Sequence, residues 1–364
     1  MNTVQRPLRL VGAGAAALAL ALLPAACGSS DDDSSGTGSG SSEERVGVAL
    51  ITKDSTNPFF VTMQKGAQAE AGKNGVDLTI ASGKQDGDET GQIQAIEQAI
   101  ARGDKGILIL SNGPSVENSI KKARDAGLYV IALDTPPSSP DVVDITFATD
   151  NREAGRLIGK WTAGQLGGKP ATIALLDAFT DKVISVDVQR DQGFLEGMGI
   201  DTVDENKNAD EAKTGKYSGG DYTIVCNEPG GGAEDGGRTA METCLSKSDG
   251  INVVYTINEP TAVGAQAALK AAGITDALVV SVDGGCAGVQ NVKDGIIGAT
   301  SQQYPLKMAT LGMEAIAKIA RTGEKPKTTD GLDFFNTGVA LVTDKPSDGV
   351  ESIDTAKGKE LCWG

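Results

Sequence analysis

The chain has 364 residues and a formal net charge of −16, from 49 acidic and 33 basic side chains. A field this negative excludes binding to nucleic acid through general electrostatic attraction. The sequence contains no histidine, so the commonest general base and the commonest zinc ligand are both missing. We therefore predict no catalytic activity, no cofactor and no metal site.

The first 26 residues have the pattern of an export signal. Arg6 and Arg9 precede an apolar run over residues 10–23, which is short for a bilayer span but suits a signal peptide. Small residues then lead to Cys27, in a segment that resembles a bacterial lipoprotein cleavage box. We predict a signal peptide over residues 1–26, lipidation at Cys27, and anchoring to the outer face of the cell membrane. A plain secretory signal is the alternative.

Residues 27–44 form a predicted tether. They consist almost entirely of Gly, Ser, Asp and Thr up to Ser42, and such a segment cannot bury enough apolar surface to offset the entropy of ordering it. The remaining chain, from about residue 45, is long enough for two domains with separate hydrophobic cores.

Short β-rich runs alternate with helical patterns after the tether. The predicted strands cover residues 46–51, 76–81, 106–110, 129–133, 171–176, 253–257, 277–282 and 296–301. The predicted helices cover residues 89–102, 115–126, 261–272 and 307–322, each followed by a glycine. Several strands are apolar throughout, as expected of strands covered on both faces. The repeated βα units predict an α/β fold with two doubly wound parallel sheets.

Polar and aromatic residues follow the predicted strands. In open α/β sheets, ligands bind beyond the carboxyl ends of the strands. The residues found there are Asn57, Phe59, Phe60, Asp134, Asp177, Phe179, Asn258, Glu259, Asp283, Gln302 and Gln303. Carboxylates and amides match hydroxyl groups, which donate and accept hydrogen bonds, and aromatic rings match C–H faces. With Arg190 as a cationic donor, this set predicts a site for a neutral polyol.

The four cysteines beyond Cys27 are Cys226, Cys244, Cys286 and Cys362. An even number in an exported protein indicates two disulfides, and three pairings are possible. We favour Cys226–Cys244, because both residues lie beside the same glycine-rich stretch, and Cys286–Cys362, which would fix the C-terminus.

Several segments resemble the periplasmic pentose- and hexose-binding proteins of the ribose-binding type. They are NPFF at 57–60, QRDQGF at 189–194, VDG at 282–284 and QYP at 303–305, within a similarity that covers about residues 45–342. Further segments resemble the fructose-binding subgroup of ABC importers: SVDV at 185–188, TINEP at 256–260, VDGGC at 282–286, ATSQQYP at 299–305 and CWG at 362–364.

The resemblance implies a type I periplasmic binding protein with a three-segment hinge. One lobe would comprise residues 45–149 plus 304–336, and the other residues 150–303 plus 337–364. The implied ligand-binding residues are Asn57, Phe59, Phe60, Asp134, Arg190, Asn258, Asp283 and Gln303. The implied function is that of an extracytoplasmic monomer that closes over a monosaccharide, with D-fructose favoured, and docks on an ABC permease with its ATPase.

The chain departs from the ribose-binding pattern in two places. Thr135 stands where that pattern has an arginine, and the glycines at 230–232 stand where it has a third stacking aromatic. Both departures weigh against plain ribose specificity, although ribose, mannose or another sugar remains an alternative to fructose.

Each candidate residue also has a structural alternative. Phe59 and Phe60 could be core residues at a helix start, and Arg190 could form a surface ion pair. The aspartates, Glu259 and Asn258 could serve only as caps or turn residues. For the whole chain, the alternatives are a sugar sensor that partners a chemoreceptor or histidine kinase, and an exported glycoside-processing enzyme. A nucleotide site at the 230–237 glycines is excluded, because no Lys-Ser/Thr pair follows them.

Overall fold

The computed structural model describes residues 45–364, so the predicted signal peptide, Cys27 and most of the tether lie outside the described residues. The strands are β1 (Val46–Thr52), β2 (Val76–Ser82), β3 (Gly106–Ile109), β4 (Tyr129–Leu133), β5 (Ile145–Ala148), β6 (Ala171–Asp177), β7 (Thr214–Lys216), β8 (Asp221–Pro229), β9 (Val253–Thr256), β10 (Leu278–Asp283), β11 (Ala299–Gln302), β12 (Phe335–Asn336) and β13 (Ala340–Val342). The helices are α1 (Pro58–Lys73), α2 (Glu89–Arg102), α3 (Glu117–Asp125), α4 (Asn151–Leu166), α5 (Ser185–Met198), α6 (Glu234–Lys247), α7 (Glu259–Ala271), α8 (Cys286–Lys293), α9 (Pro305–Thr322) and α10 (Thr355–Leu361).

The strands form two sheets. The first has the order β12-β5-β4-β3-β1-β2, with every pair parallel. The second has the order β13-β11-β10-β9-β6-β8-β7 and is parallel except at its edges, where β13 and β7 run antiparallel to their neighbours. These two sheets confirm the predicted fold class.

Each sheet is covered on both faces. Along β1, Val48 and Leu50 belong to one hydrophobic cluster while Ala49 and Ile51 belong to another. The strand β6 divides its buried side chains between two further clusters in the same way. Successive strand residues point to opposite faces, so four clusters fill the two sides of two sheets. This is why the central strands read as continuous apolar runs.

The chain passes between the sheets three times. The first sheet takes β1–β5 and later β12, while the second takes β6–β11 and β13. Helix α9, between β11 and β12, returns its buried face to the core of the first sheet. This connectivity supports lobe boundaries near residues 149, 303 and 336, which we keep as our proposed limits.

The two favoured disulfides are present. Cys226–Cys244 joins β8 to α6, and Cys286–Cys362 joins the start of α8 to the residue after α10. In the described part of the chain, no helix combines the length and the apolar character needed to cross a membrane.

Some predicted boundaries were wrong by a few residues. Helices α7 and α9 begin two residues earlier than predicted, because Pro260 and Pro305 occupy the first turn, where a proline fits. The predicted helix at 115–126 begins instead as a 3₁₀ turn before α3. The predicted strand at 296–301 starts only at Ala299, since the amides of Ile296 and Ile297 both donate to the carbonyl of Asn291.

Candidate functional site

All eight residues predicted to bind ligand line one cavity of about 40 Å³. They come from loops and helix starts at the carboxyl ends of both sheets: Asn57, Phe59 and Phe60 at α1, Asp134 after β4, Arg190 in α5, Asn258 before α7, Asp283 at the end of β10 and Gln303 after β11. Their roles in binding remain predictions, but the structure brings every one of them to the same place.

Arg190 lines the cavity and is only 4% exposed. Its Nε donates to Asn151 Oδ1 at 2.8 Å, and its Nη1 donates to the Ile257 carbonyl at 3.0 Å. Its terminal nitrogens also lie 3.9 Å from Oδ1 of Asp134 and of Asp283. The surface ion pair considered for Arg190 is therefore wrong, because the guanidinium is buried and held on several sides.

Asp283 is fixed by two donors. Its Oδ1 accepts from Gln303 Nε2 at 3.0 Å, and its Oδ2 accepts from the Glu259 amide at 3.2 Å. Burial raises the pKa of Asp283 to about 6, against the Arg190 guanidinium and these two bonds, which lower it. The Asp283 carboxyl group therefore changes its charge as the pH passes through about 6.

Asp134 and Asn258 also have structural partners. Asp134 Oδ2 accepts from the Thr135 hydroxyl at 2.7 Å, so Thr135 orients this aspartate. Asn258 caps α7 through Oδ1, which accepts from the amide and hydroxyl of Thr261 at 3.1 and 2.7 Å. Its Nδ2 donates to the Gly232 carbonyl at 2.9 Å. Asn258 is a helix cap as well as a lining residue, so the two interpretations are compatible.

Glu259 stabilises a helix start instead of lining the cavity. Its carboxylate accepts from the amides of Gly284 and Gly285 at 2.9 and 3.1 Å and from the Thr300 hydroxyl at 2.8 Å, directly before α8. Burial and the Asp283 carboxylate raise its pKa to about 8. Asp177 is likewise buried outside the cavity lining, while its neighbours Ala178 and Phe179 belong to that lining.

The aromatic residues are both core and cavity wall. Phe59 and Phe60 are 4% and 5% exposed and pack in the first-sheet core. Their rings meet edge to face with centroids 5.6 Å apart. Phe179, which follows β6, adds a third ring to the lining, and Lys182 Nζ lies 4.6 Å from its centroid. Phe179 thus supplies a ring although the 230–232 glycines do not.

Sequence reasoning missed an ion pair in the lining. Lys53 Nζ lies 3.8 Å from Asp86 Oδ1, and the lysine side chain is 5% exposed. Burial raises the pKa of Asp86, while Lys53 lowers it. Lys53 is the first residue after β1. A survey of strand ends would have found this lysine if it had started directly after β1 and not at Asn57. Asp86 lies inside a loop, where no pattern marks it.

Three buried acceptors of the lining have no hydrogen-bond partner within residues 45–364. They are Oδ1 of Asp86, Oδ1 of Asp134 and Oε1 of Gln303. A buried acceptor without a donor is unfavourable, so the lining is suited to a ligand that brings several donors. Among the described residues, no group of three or more acidic or cysteine side chains is arranged to hold a metal ion.

The chain belongs to the periplasmic binding protein family. A family model described as a periplasmic binding protein domain matches residues 48–325. The ribose import binding protein RbsB of Salmonella typhimurium is 28% identical over 288 residues, which cover 79% of this chain and 88% of that protein. The galactofuranose-binding protein YtfQ of Escherichia coli is 30% identical over 276 residues, covering 72% of this chain and 78% of that protein.

Solved structures show the same fold. A periplasmic solute-binding protein of an ABC transporter from Actinobacillus succinogenes, with bound D-allose, superposes with a TM-score of 0.70 at 20% identity, covering 87% of this chain and all of that one. A solute-binding protein from Agrobacterium vitis, with bound D-fucose, gives 0.70 at 24% identity, again over 87% of this chain and all of that one. Membership of this family makes the chain a binding protein and not an enzyme.

Proposed function

We propose that this chain is the extracytoplasmic sugar-binding component of an ABC-type monosaccharide importer. The observation that carries the proposal is that Asp86, Asp134 and Gln303, each with a buried acceptor that no hydrogen bond satisfies within residues 45–364, line the same cavity as Phe59 and Phe60. Sugar hydroxyls would donate to these acceptors, and the C–H faces of the sugar would lie against the rings. The sugars named for the relatives support the same ligand class.

The charges of the lining disfavour an anionic ligand. Lys53 and Arg190 are cationic, whereas Asp86, Asp134 and Asp283 are acidic. An anionic ligand, such as an amino-acid carboxylate or a phosphate, would add negative charge to a buried site in which acids already outnumber bases. A neutral polyol avoids that electrostatic penalty.

The site supports capture by hinge closure. Two contacts cross between loops at the ends of the two sheets: Lys182 Nζ donates to the Gly87 carbonyl at 3.3 Å, and the Ser185 hydroxyl donates to the Pro136 carbonyl at 3.2 Å. A cavity of about 40 Å³ has room for only a few waters, so a sugar enters when the lobes separate. Binding then favours the closed form, which a permease with its ATPase would recognise.

D-Fructose is the sugar we propose. The proposal rests on the segments that resemble the fructose-binding subgroup, and on Thr135 and the 230–232 glycines, which depart from the ribose-binding pattern. A thermal-shift panel of monosaccharides tests it. Fructose should give the largest rise in Tm, since a ligand at a hundredfold its Kd adds about 2.7 kcal/mol to stability.

The panel distinguishes the class from the particular sugar. A larger shift with ribose or mannose would reject fructose and keep the sugar importer. If no monosaccharide raises the Tm while an amino acid or a nucleoside does, the sugar assignment is wrong.

We also propose that Cys27, which lies outside the described residues, carries a lipid. Cells grown with a labelled fatty acid should label the protein, and Cys27→Ala should abolish the label and release the protein from the membrane. An unlabelled, membrane-free wild type would indicate a plain secretory signal.

A further inference from the structure

The indole of Trp363 lies behind the sugar site. It is 7% exposed and belongs to the first-sheet core cluster, although it follows α10 in a segment that we assign to the second lobe. Its ring meets the ring of Phe59 edge to face, with centroids 5.2 Å apart and planes inclined by 80°. Phe59 lines the cavity, so Trp363 forms the layer behind a ring that faces the ligand.

Trp363 is held on the second-sheet side by covalent and hydrogen bonds. Its carbonyl accepts from the Cys286 amide at 2.9 Å, and the preceding residue, Cys362, is disulfide-bonded to Cys286 with the Cα atoms 4.9 Å apart. Cys286 opens α8, shortly after Asp283 at the end of β10. The disulfide therefore sets where the indole can lie relative to the site.

The same indole contacts a second lining residue. Its Nε1 donates to the Gln303 carbonyl at 2.9 Å. The Gln303 side chain in turn donates to Asp283 Oδ1 at 3.0 Å. Gln303 also lies where the chain passes from β11 back to the first sheet. The Trp363 side chain thus contacts the ring of Phe59 and the main chain of Gln303, which lies at a crossing between the lobes.

We propose that Trp363 is a positioning residue for Phe59 and Gln303, and that the Cys286–Cys362 disulfide sets ligand affinity by holding it in place. The inference rests on the proposed sugar site. Without the indole, Phe59 keeps its core packing, but the edge contact with Phe60 is the one aromatic contact that remains to it within residues 45–364. The space left by the indole lets the ring rotate away from the ligand. The ring and the amide then have to be ordered at the moment of binding, which weakens it.

The Cys226–Cys244 disulfide provides a matched control. It joins β8 to α6 within the cluster formed with Ala174, Leu176 and Met241. These residues lie outside the cavity lining. Removing this disulfide tests the general effect of losing a crosslink, whereas removing Cys286–Cys362 also releases Trp363.

The test compares sugar affinity in four variants of the full protein by calorimetric titration, at a temperature where each is folded. Trp363→Leu should raise Kd about threefold to tenfold, from the loss of an aromatic pair. Trp363→Phe restores a ring and should recover part of that loss. The double variant C286S/C362S should raise Kd in the same way, while C226S/C244S should stay within about twofold of the wild type.

If the wild type binds sugar, and Trp363→Leu and C286S/C362S both bind it with the wild-type Kd, the inference is overturned. A wild type that binds no monosaccharide instead refutes the proposed function. Fluorine NMR of fluorophenylalanine-labelled protein then decides the inference without ligand, with Phe59→Leu assigning one of the seven phenylalanine signals. Trp363→Leu should shift or broaden the Phe59 signal, and an unchanged signal would reject the positioning role.

Discussion

Asp134 and Asp283 are buried, and both also have unusual backbone conformations. Their φ angles are 58° and 144°, and only Ala209 joins them among non-glycine residues with positive φ within residues 45–364. Such conformations cost on the order of 1–3 kcal/mol each and concentrate at functional sites. The strain coincides with the two carboxylates nearest Arg190, so the polypeptide holds these side chains in a geometry that stability alone does not favour.

Replacing either Asp283 or Arg190 by alanine should weaken sugar binding at least about tenfold. Each change removes charge-assisted hydrogen bonds worth about 1.5–3 kcal/mol, and it leaves the partner charge unbalanced in the cavity. Calorimetric titration measures the effect, with circular dichroism to show that each variant is folded. Asp249→Ala, in the exposed turn before β9, is the matched control. Near-native affinity in both folded cavity variants would place the site elsewhere.

The affinity for sugar should fall as the pH drops through about 6. The pKa of Asp283 is raised to about 6, and protonation removes an acceptor that the ligand hydroxyls would use. Titrations between pH 8 and pH 5 should show Kd rising at the acidic end. Asp283→Asn should bind weakly with a flatter pH profile. A wild-type affinity that is constant between pH 8 and pH 5 would show that protonation of Asp283 does not control sugar binding in this range.

At the scale of elements, the position of Arg190 depends on how closely α4 and α5 pack. A Cβ added at Gly155 of α4 would lie 2.1 Å from the Arg190 carbonyl, and one added at Gly193 of α5 would lie 2.1 Å from the Arg152 carbonyl. The two backbones therefore touch through glycines. Because Asn151 of α4 accepts from Arg190 of α5, this contact also sets the site.

Gly193→Ala should lower the free energy of unfolding by about 1–3 kcal/mol, since the helices must move apart, and should weaken sugar binding as Arg190 shifts. Gly72→Ala in α1, where a Cβ meets open space, should instead stabilise the protein by about 0.5–1 kcal/mol. Denaturant unfolding of both variants checks this. Equal stability of the two variants would mean that α4 and α5 separate without cost.

The sequence predicts the buried central strands better than the edges of the sheets. Strands such as β1, β4 and β6 read as apolar runs because they are covered on both faces. The strand β8 was missed because a search for apolar runs does not find a strand along which exposed and buried residues alternate, although that alternation itself indicates a strand covered on one face. The strands β12 and β13 are only two and three residues long. Such short strands exist through pairing with β5 and β11, which is not a local property of sequence.

The site residues also divide into those that a local sequence pattern marks and those that only the folded chain brings together. Residues at the end of a strand or directly after it, such as Asp283 and Asp134, could be located because strand ends of a parallel sheet converge. Lys53 also directly follows a strand and could have been located in the same way, whereas Asp86 was missed because only its ion pair with Lys53, formed across two loops, marks it. Trp363 lies far along the chain from Phe59, and only the folded protein brings their rings together.

For the whole molecule, buried carboxyl groups link stability to pH. Burial raises the pKa of Asp187 to about 6 and that of Glu259 to about 8. Burial and neighbouring carboxylates hold the pKa values of Asp177 and Asp191 well above their usual range. The folded protein therefore binds more protons than the unfolded chain above about pH 4, so its stability decreases as pH rises through these values.

The Tm should accordingly be higher at pH 5 than at pH 8. Asp177→Asn keeps the shape of the side chain but cannot ionise, so this variant should gain stability at pH 8 and show a smaller difference between the two pH values. Calorimetric melts of both proteins at both pH values provide the measurement. A wild-type Tm that rises from pH 5 to pH 8 would contradict the sign of this linkage.

The interleaved order of the two sheets has a consequence for a chain that becomes available from its N-terminus, as every chain does during synthesis. The core of the first sheet includes α9 and Trp363. Helix α9 follows every strand of the second sheet except β13, and Trp363 follows all of them. The early strands therefore cannot complete their core until these late segments are available. The core that is begun first is thus complete only when Trp363 is in place.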